Sequence, residues 1–145
     1  MIAIGSDHAG YVYKEKIKKL LAELALPYKD FGTNSPESTD YPDYAHAVSL
    51  AVSAGEAERG ILVCGTGIGM SIVANKHPGV RAAVCESAKA ARLSRQHNDA
   101  NVLALGARIT TWKTAQGIVR AFFKTRFEGG RHQRRVEKIH TLTSL

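Results

Sequence analysis

Cysteine is nearly absent: 145 residues hold two, Cys64 and Cys85. Two thiols make no disulfide framework, so reduced side chains and a cytoplasmic setting are expected. Long apolar runs are missing as well. Nothing approaches the roughly 18 consecutive apolar residues of a membrane span. The opening MIAIGSDHAG has neither the basic region nor the long apolar stretch of a secretory leader. Aromatics make up 7%, and no basic run is interleaved with them in the manner of a nucleic-acid module. Neither a membrane nor a nucleic acid is an expected partner. Linkers, repeats and low-complexity segments are also lacking, which leaves one domain over 1–145. A chain of this size buries roughly 70% of its unfolded surface and needs no metal or disulfide staple.

What is present alternates between two patterns. Met1–Gly5 is a short apolar run ending in glycine, as in a buried strand. Ile17, Leu20, Leu21 and Leu24 recur at helical spacing, with lysines on the other face. Pro27–Gly32 holds a second short strand. Asp40-Tyr41-Pro42 reads as a helix start, with Tyr44, Val48, Ala51 and Val52 along its apolar side. Gly60–Cys64, Val80–Cys85 and Val102–Gly106 are further strand-like runs. Ala88, Ala91 and Leu93 mark a helix between the last two, and Thr111 is placed to cap another carrying Ala115, Ile118, Val119 and Phe122. Strands this apolar are buried on both faces, and each precedes a helix. The expected fold is therefore α/β, doubly wound, with a five-stranded parallel sheet flanked by helices.

Ligand groups in such sheets gather beyond the carboxyl ends of strands, where strand order reverses. Two segments stand there. Ser6-Asp7-His8-Ala9-Gly10 follows the first strand, and Cys64-Gly65-Thr66-Gly67-Ile68-Gly69-Met70-Ser71 follows the third. In a strand order of 2-1-3-4-5 both loops would open on one crevice. Glycines on alternate residues let the backbone approach a phosphate or oxyanion, and the following helix turns its free N–H groups toward it. A dinucleotide fingerprint is the rival, with Glu86 in the place of the ribose-binding acid. Its third glycine comes one residue early here. A P-loop fails, because no Lys-Ser or Lys-Thr follows either loop. Cys64 at the strand tip is placed for a lowered thiol pKa, whereas Cys85 has no such loop and reads as core. No histidine–carboxylate spacing matches a zinc motif, so no metal ligands are assigned. The net charge of +7 favours an anionic partner, and Arg131, His132, Arg134 and Arg135 form the densest basic cluster.

Five stretches carry a resemblance: GSDHAG (5–10), DYPDYA (40–45), CGTGIGMSIVANK (64–76), SRQHNDANVLALGAR (94–108) and FEGGRHQRRVEKI (127–139). In this order they resemble the type B ribose-5-phosphate isomerases, whose family also contains galactose-6-phosphate isomerase subunits. The resemblance implies a Rossmann-like sheet and an aldose–ketose isomerase that interconverts ribose 5-phosphate and ribulose 5-phosphate through an enediolate, within the pentose phosphate pathway and without cofactor. Carried over, it makes Cys64 the base between C2 and C1. Thr66 and the amides of Gly65, Gly67, Ile68 and Gly69 hold the enediolate. His97 opens the furanose ring, Asp7, His8, Tyr41 and Asn98 position hydroxyls, and Arg131 and Arg135 take the phosphate. Some relatives place a glutamate at the position of Met70 and lack the cysteine; this chain resembles the cysteine subgroup.

Cys64 ends its strand while His97 precedes another, so a strand length of about 17 Å separates them. A homodimer sharing its sites, alone or as a dimer of dimers, is expected. Two other readings stay open: a phosphosugar sensor, which needs no thiolate, and a dinucleotide-dependent enzyme. Allose 6-phosphate and galactose 6-phosphate stay open as substrates, because one more carbon changes pocket length rather than mechanism.

Overall fold

A computed structural model describes residues 1–145. Five strands are present: β1 (Ile2–Ser6), β2 (Tyr28–Asp30), β3 (Arg59–Cys64), β4 (Ala82–Val84) and β5 (Val102–Gly106). Six helices follow the same alternation: α1 (Tyr11–Glu23), α2 (Tyr41–Ser53), α3 (Ile68–Ala74), α4 (Ala88–Asn98), α5 (Trp112–Lys124) and α6 (Arg131–Thr143). All strand pairs are parallel, in the order β2-β1-β3-β5-β4. The expected doubly wound α/β sheet is therefore present, with one correction. β5, not β4, lies beside β3. A central strand must be apolar on both faces, and Val102–Leu105 are wholly buried. β4 keeps only three residues, all half-buried, and so takes the edge.

Alternate residues of each strand face opposite layers, as strand geometry requires. Ile2, Ile4, Ile61, Val63, Leu103 and Leu105 pack with Ile17, Leu20, Leu21, Ala91, Ile118 and Phe122 from α1, α4 and α5. Ala3, Leu62, Cys64 and Val102 pack with Ala45, Val48, Ala51, Met70 and Ala74 from α2 and α3. Each large side chain so buried contributes about 1.5–3 kcal/mol. Thr111 caps α5 as expected, accepting from the Thr114 amide at 3.3 Å, and Ser87 caps α4 in the same way. Asp40 stands before α2, whose second residue is Pro42.

One lysine of α1 departs from expectation, while Lys16 and Lys19 are exposed. Lys14 has no exposed surface. It shares a helical face with Ile17 and Leu21, so the helix carries it inward with them. Its Nζ lies 2.6 Å from Asp30 Oδ2, and Lys18 donates to the same oxygen at 2.9 Å. Burial works to raise the Asp30 carboxyl. The two lysines and the Gly32 amide outweigh it and hold the group below the usual carboxylate range.

α6 lies against α4 with His132 and Val136 buried, while Arg131, Arg134 and Arg135 are exposed.

Candidate active site

β1 and β3 run side by side, paired from Ile2 with Arg59 to Ser6 with Val63, so the loops leaving their carboxyl ends emerge together. The Asp7 amide donates to the Val63 carbonyl at 3.3 Å. The Asp7 carboxylate is buried, and its Oδ1 accepts from the Gly10 amide at 3.1 Å, which locks the turn into α1. His8 is half-buried. Its Nδ1 accepts from the Thr39 amide at 3.1 Å, so the neutral ring carries its proton on Nε2.

Cys64 closes β3 on the α2–α3 side of the sheet, buried, and the Gly67 amide donates to its Sγ at 3.1 Å. Gly67 turns the chain into α3 with φ of 80°, a conformation that side chains disfavour. Thr66 is exposed. Its Oγ1 accepts from the Ile68 amide at 3.2 Å, leaving the hydroxyl proton free to donate. Ile68 and Gly69 open α3, and the Tyr41 ring at the start of α2 lies directly over Gly69. One rim of the sheet thus gathers Asp7, His8, Tyr41, Cys64, Gly65, Thr66, Gly67, Ile68 and Gly69.

The remaining candidates form a second group at the other end of β5. His97 and Asn98 finish α4, and Arg131 and Arg135 occupy the first turns of α6. These four line one cleft of about 310 Å³ together with His132, Val136 and Ile139. His97 stacks on His132 with centroids 4.4 Å apart and planes 14° apart. Burial pushes the His132 imidazole down from its ordinary value; His97, Arg131 and Arg135 push the same way, and Glu128 opposes them. Cys64 pairs with Gly106 at the carboxyl end of β5, whereas Asn98 precedes its amino end. Within one chain the thiol and the His97 cleft therefore stand apart by about the 17 Å of a five-residue strand.

Cys85 is core, as its lack of a glycine loop indicated: it is 1% exposed, and burial pushes its thiol up.

Residues 2–139 match the ribose/galactose isomerase family. The chain belongs to this family. Ribose-5-phosphate isomerase B of Escherichia coli is 53% identical over 138 residues, which cover 95% of this chain and 93% of that protein. The solved ribose-5-phosphate isomerase B of Clostridium thermocellum superposes with a TM-score of 0.97 at 51% identity, covering 99% of this chain and 97% of the other. A Mycoplasma genitalium ribose-5-phosphate isomerase B, solved with bound ribulose-5-phosphate, superposes with a TM-score of 0.95 at 43% identity, covering 99% and 95%.

Three features of this ribose/galactose isomerase chain escape a reading of spacing alone. Arg108 folds back from the end of β5, its amide donating to the Gly65 carbonyl at 2.9 Å and its guanidinium lying beside Gly65. Its place just past the carboxyl end of a buried strand was the available signal. Met70 is wholly buried, so its side chain belongs to the core below the loop rather than to the crevice. Glu128 joins His97 and His132 in a cluster whose donor atoms all lie within 4.8 Å of one another. Glu128 and His132 are four apart in sequence, a usable spacing, but His97 comes from another helix.

Proposed function

We propose that the chain interconverts ribose 5-phosphate and ribulose 5-phosphate through an enediolate intermediate, with a thiolate as the base. The observation that carries this reading is the Cys64 sulfur at the mouth of a glycine loop, with an amide aimed at it, in a chain so similar to ribose-5-phosphate isomerases B. Removing a proton next to a carbonyl needs a base and donors for the oxyanion left behind. Cys64 takes the proton from C2 and returns it to C1, while the hydroxyl proton of the enediolate passes from O2 to O1. The Thr66 hydroxyl and the amides of the Gly65–Gly69 loop hold the enediolate oxygen. Each good oxyanion donor is worth about 100- to 1000-fold in rate.

His97 opens the furanose ring, while Asp7, His8, Tyr41 and Asn98 orient hydroxyls. Arg131 and Arg135 receive the phosphate, to which guanidinium forks are matched in shape and charge. The separation of Cys64 from His97 supports a homodimer in which each site takes the thiol from one chain and the His97 cleft from the other. C2 symmetry then makes two such sites. No helix is long and apolar enough to cross a membrane, and both thiols are free. This fits the cytoplasm, where thiols stay reduced.

A coupled assay of the purified protein on ribose 5-phosphate, allose 6-phosphate and galactose 6-phosphate tests the assignment. The pentose should give the highest kcat/KM; a higher value with either hexose overturns the substrate, and no turnover with any of them overturns the activity.

A further inference from the structure

We propose that His97, Glu128 and His132 form an inhibitory site for a divalent transition-metal ion of the zinc type. His132 Nε2 lies 3.6 Å from Glu128 Oε1, and His97 Nε2 lies 3.9 Å from the same oxygen. Zinc holds imidazole nitrogens and carboxylate oxygens at about 2.0–2.2 Å, so tetrahedral donors stand about 3.4 Å apart. Along these two edges the cluster must contract by about 0.2 and 0.5 Å, and the edge between the two imidazole nitrogens, which lies within 4.8 Å, must also close to about 3.4 Å. Two imidazoles and one carboxylate make a donor set suited to zinc and its neighbours, whereas magnesium and calcium favour oxygen alone.

The arrangement is held by the backbone as well as by side chains. Glu128 donates its amide to the Gln96 carbonyl at 3.1 Å, which ties it beside His97. Gly129 and Gly130, with φ of 66° and 55°, turn the chain so that α6 starts directly above and brings His132 back to Glu128. His132 is 9% exposed and fixed by its packing. The His97 and Glu128 side chains are 40% and 51% exposed, free to adjust. Stacked rings cannot both aim their in-plane lone pairs at one ion, so binding turns the His97 ring out of the stack. Arg131 and Arg135 face the same cleft and repel a cation. Their repulsion weakens the affinity of the cluster for the ion.

An ion on His97 removes the imidazole from ring opening, so the inhibitory role rests on the function proposed above; the site itself does not. Metal-free protein titrated with Zn²⁺ against a chromophoric chelator should take up one ion per chain in this cluster. Glu128→Gln and His132→Gln should each weaken that uptake at least tenfold. Glu128 is exposed, so its variant keeps the fold even if the other does not. Cys64→Ser and His46→Ala, which alter a thiol in the loop and an imidazole elsewhere, should leave it unchanged. Micromolar Zn²⁺ should inhibit wild-type turnover of ribose 5-phosphate reversibly, with EDTA restoring it, and should inhibit the Glu128→Gln enzyme at least tenfold less. Zn²⁺ uptake that survives Glu128→Gln, or that disappears with Cys64→Ser, overturns the site. Uptake at the cluster with turnover unaffected overturns its inhibitory role.

Discussion

The Tyr41 ring covers Gly69 so closely that a side chain begun at 69 would stand 2.6 Å from its Cε1 and 2.8 Å from its Cζ. The ring is 40% exposed and can swing away. At Gly67 the obstacle is different: φ is 80°, and a side chain would meet the Leu105 backbone at 2.9–3.2 Å. Gly69→Ala should therefore keep its stability within about 1 kcal/mol, as surface changes do, yet raise KM for ribose 5-phosphate by displacing Tyr41. Gly67→Ala should lose about 1–3 kcal/mol through backbone strain. Denaturation midpoints and steady-state kinetics on both variants check this. An unchanged KM in Gly69→Ala would remove Tyr41 from substrate binding.

Cys64→Ser should fold normally and bind the sugar phosphate but lose at least about 100-fold in turnover. A serine hydroxyl is too weak an acid to supply an equivalent base near neutral pH. Iodoacetamide should inactivate the enzyme through Cys64, with substrate protecting. Cys85, 1% exposed and with its thiol pushed up by burial, should stay unlabelled in peptide mass spectra. Near-normal turnover by the serine variant would sink the base assignment.

Much of this was legible in the chain itself. Val102–Gly106 reads as a strand from five buried apolar or small residues, and the same bounds appear in the fold. Its place beside β3 was not legible, because sheet order depends on which strand buries both edges, and local pattern carries no record of that. Lys14 was misplaced for a related reason. Helical spacing puts it with Ile17 and Leu21, but only the carboxylate arriving from β2 makes its burial tolerable. At the site, the residues on the β1 and β3 loops could be grouped from topology alone. His132 and Glu128 could not be joined to His97, since the tie of the Glu128 amide to Gln96 and the turn at Gly129 and Gly130 decide that meeting.

Asp30 is the counter-ion of a fully buried lysine, and removing it leaves that charge unpaired. Breaking such a pair costs about 3–5 kcal/mol; Asp30→Asn should fall at the low end, because Glu15 remains 3.5 Å from Lys14 Nζ. The pH dependence follows from the depressed carboxyl. The unfolded carboxylate titrates near pH ~3.9, and the folded one below it. The stabilisation is complete above the unfolded value and drains away as pH falls through the folded one. Urea midpoints measured from pH 6 downward should decline more steeply in wild type than in Asp30→Asn below about pH 4. Parallel declines would mean that Asp30 contributes nothing to acid sensitivity.

Chains lacking either half of the proposed shared site should complement one another. Cys64→Ala and His97→Ala proteins, each inactive alone, should recover about a quarter of wild-type activity when mixed under subunit exchange, since half the dimers then carry one intact site of two. Native mass spectrometry would verify the exchange. Mixed dimers that form and stay inactive would rule out sites built from two chains.

Ring opening and proton transfer can be separated by choice of sugar. Ribose 5-phosphate in water is overwhelmingly furanose, and its C2 proton becomes acidic only when C1 is a free carbonyl. An enzyme taking the cyclic form must give a proton to the ring oxygen and remove one from the C1 hydroxyl. Imidazole suits both transfers, because both of its protonation states are populated near neutral pH. His97 stands at the end of α4 with its ring partly exposed in the cleft that also holds Arg131 and Arg135. His97→Asn should therefore be severely impaired with ribose 5-phosphate. Erythrose 4-phosphate carries its phosphate on O4 and cannot close a furanose ring, so it arrives already open. With that substrate the defect should be much smaller, provided wild-type enzyme turns it over measurably. Equal slowing on both sugars would place His97 in the isomerisation step or in binding, and the ring-opening role would fall.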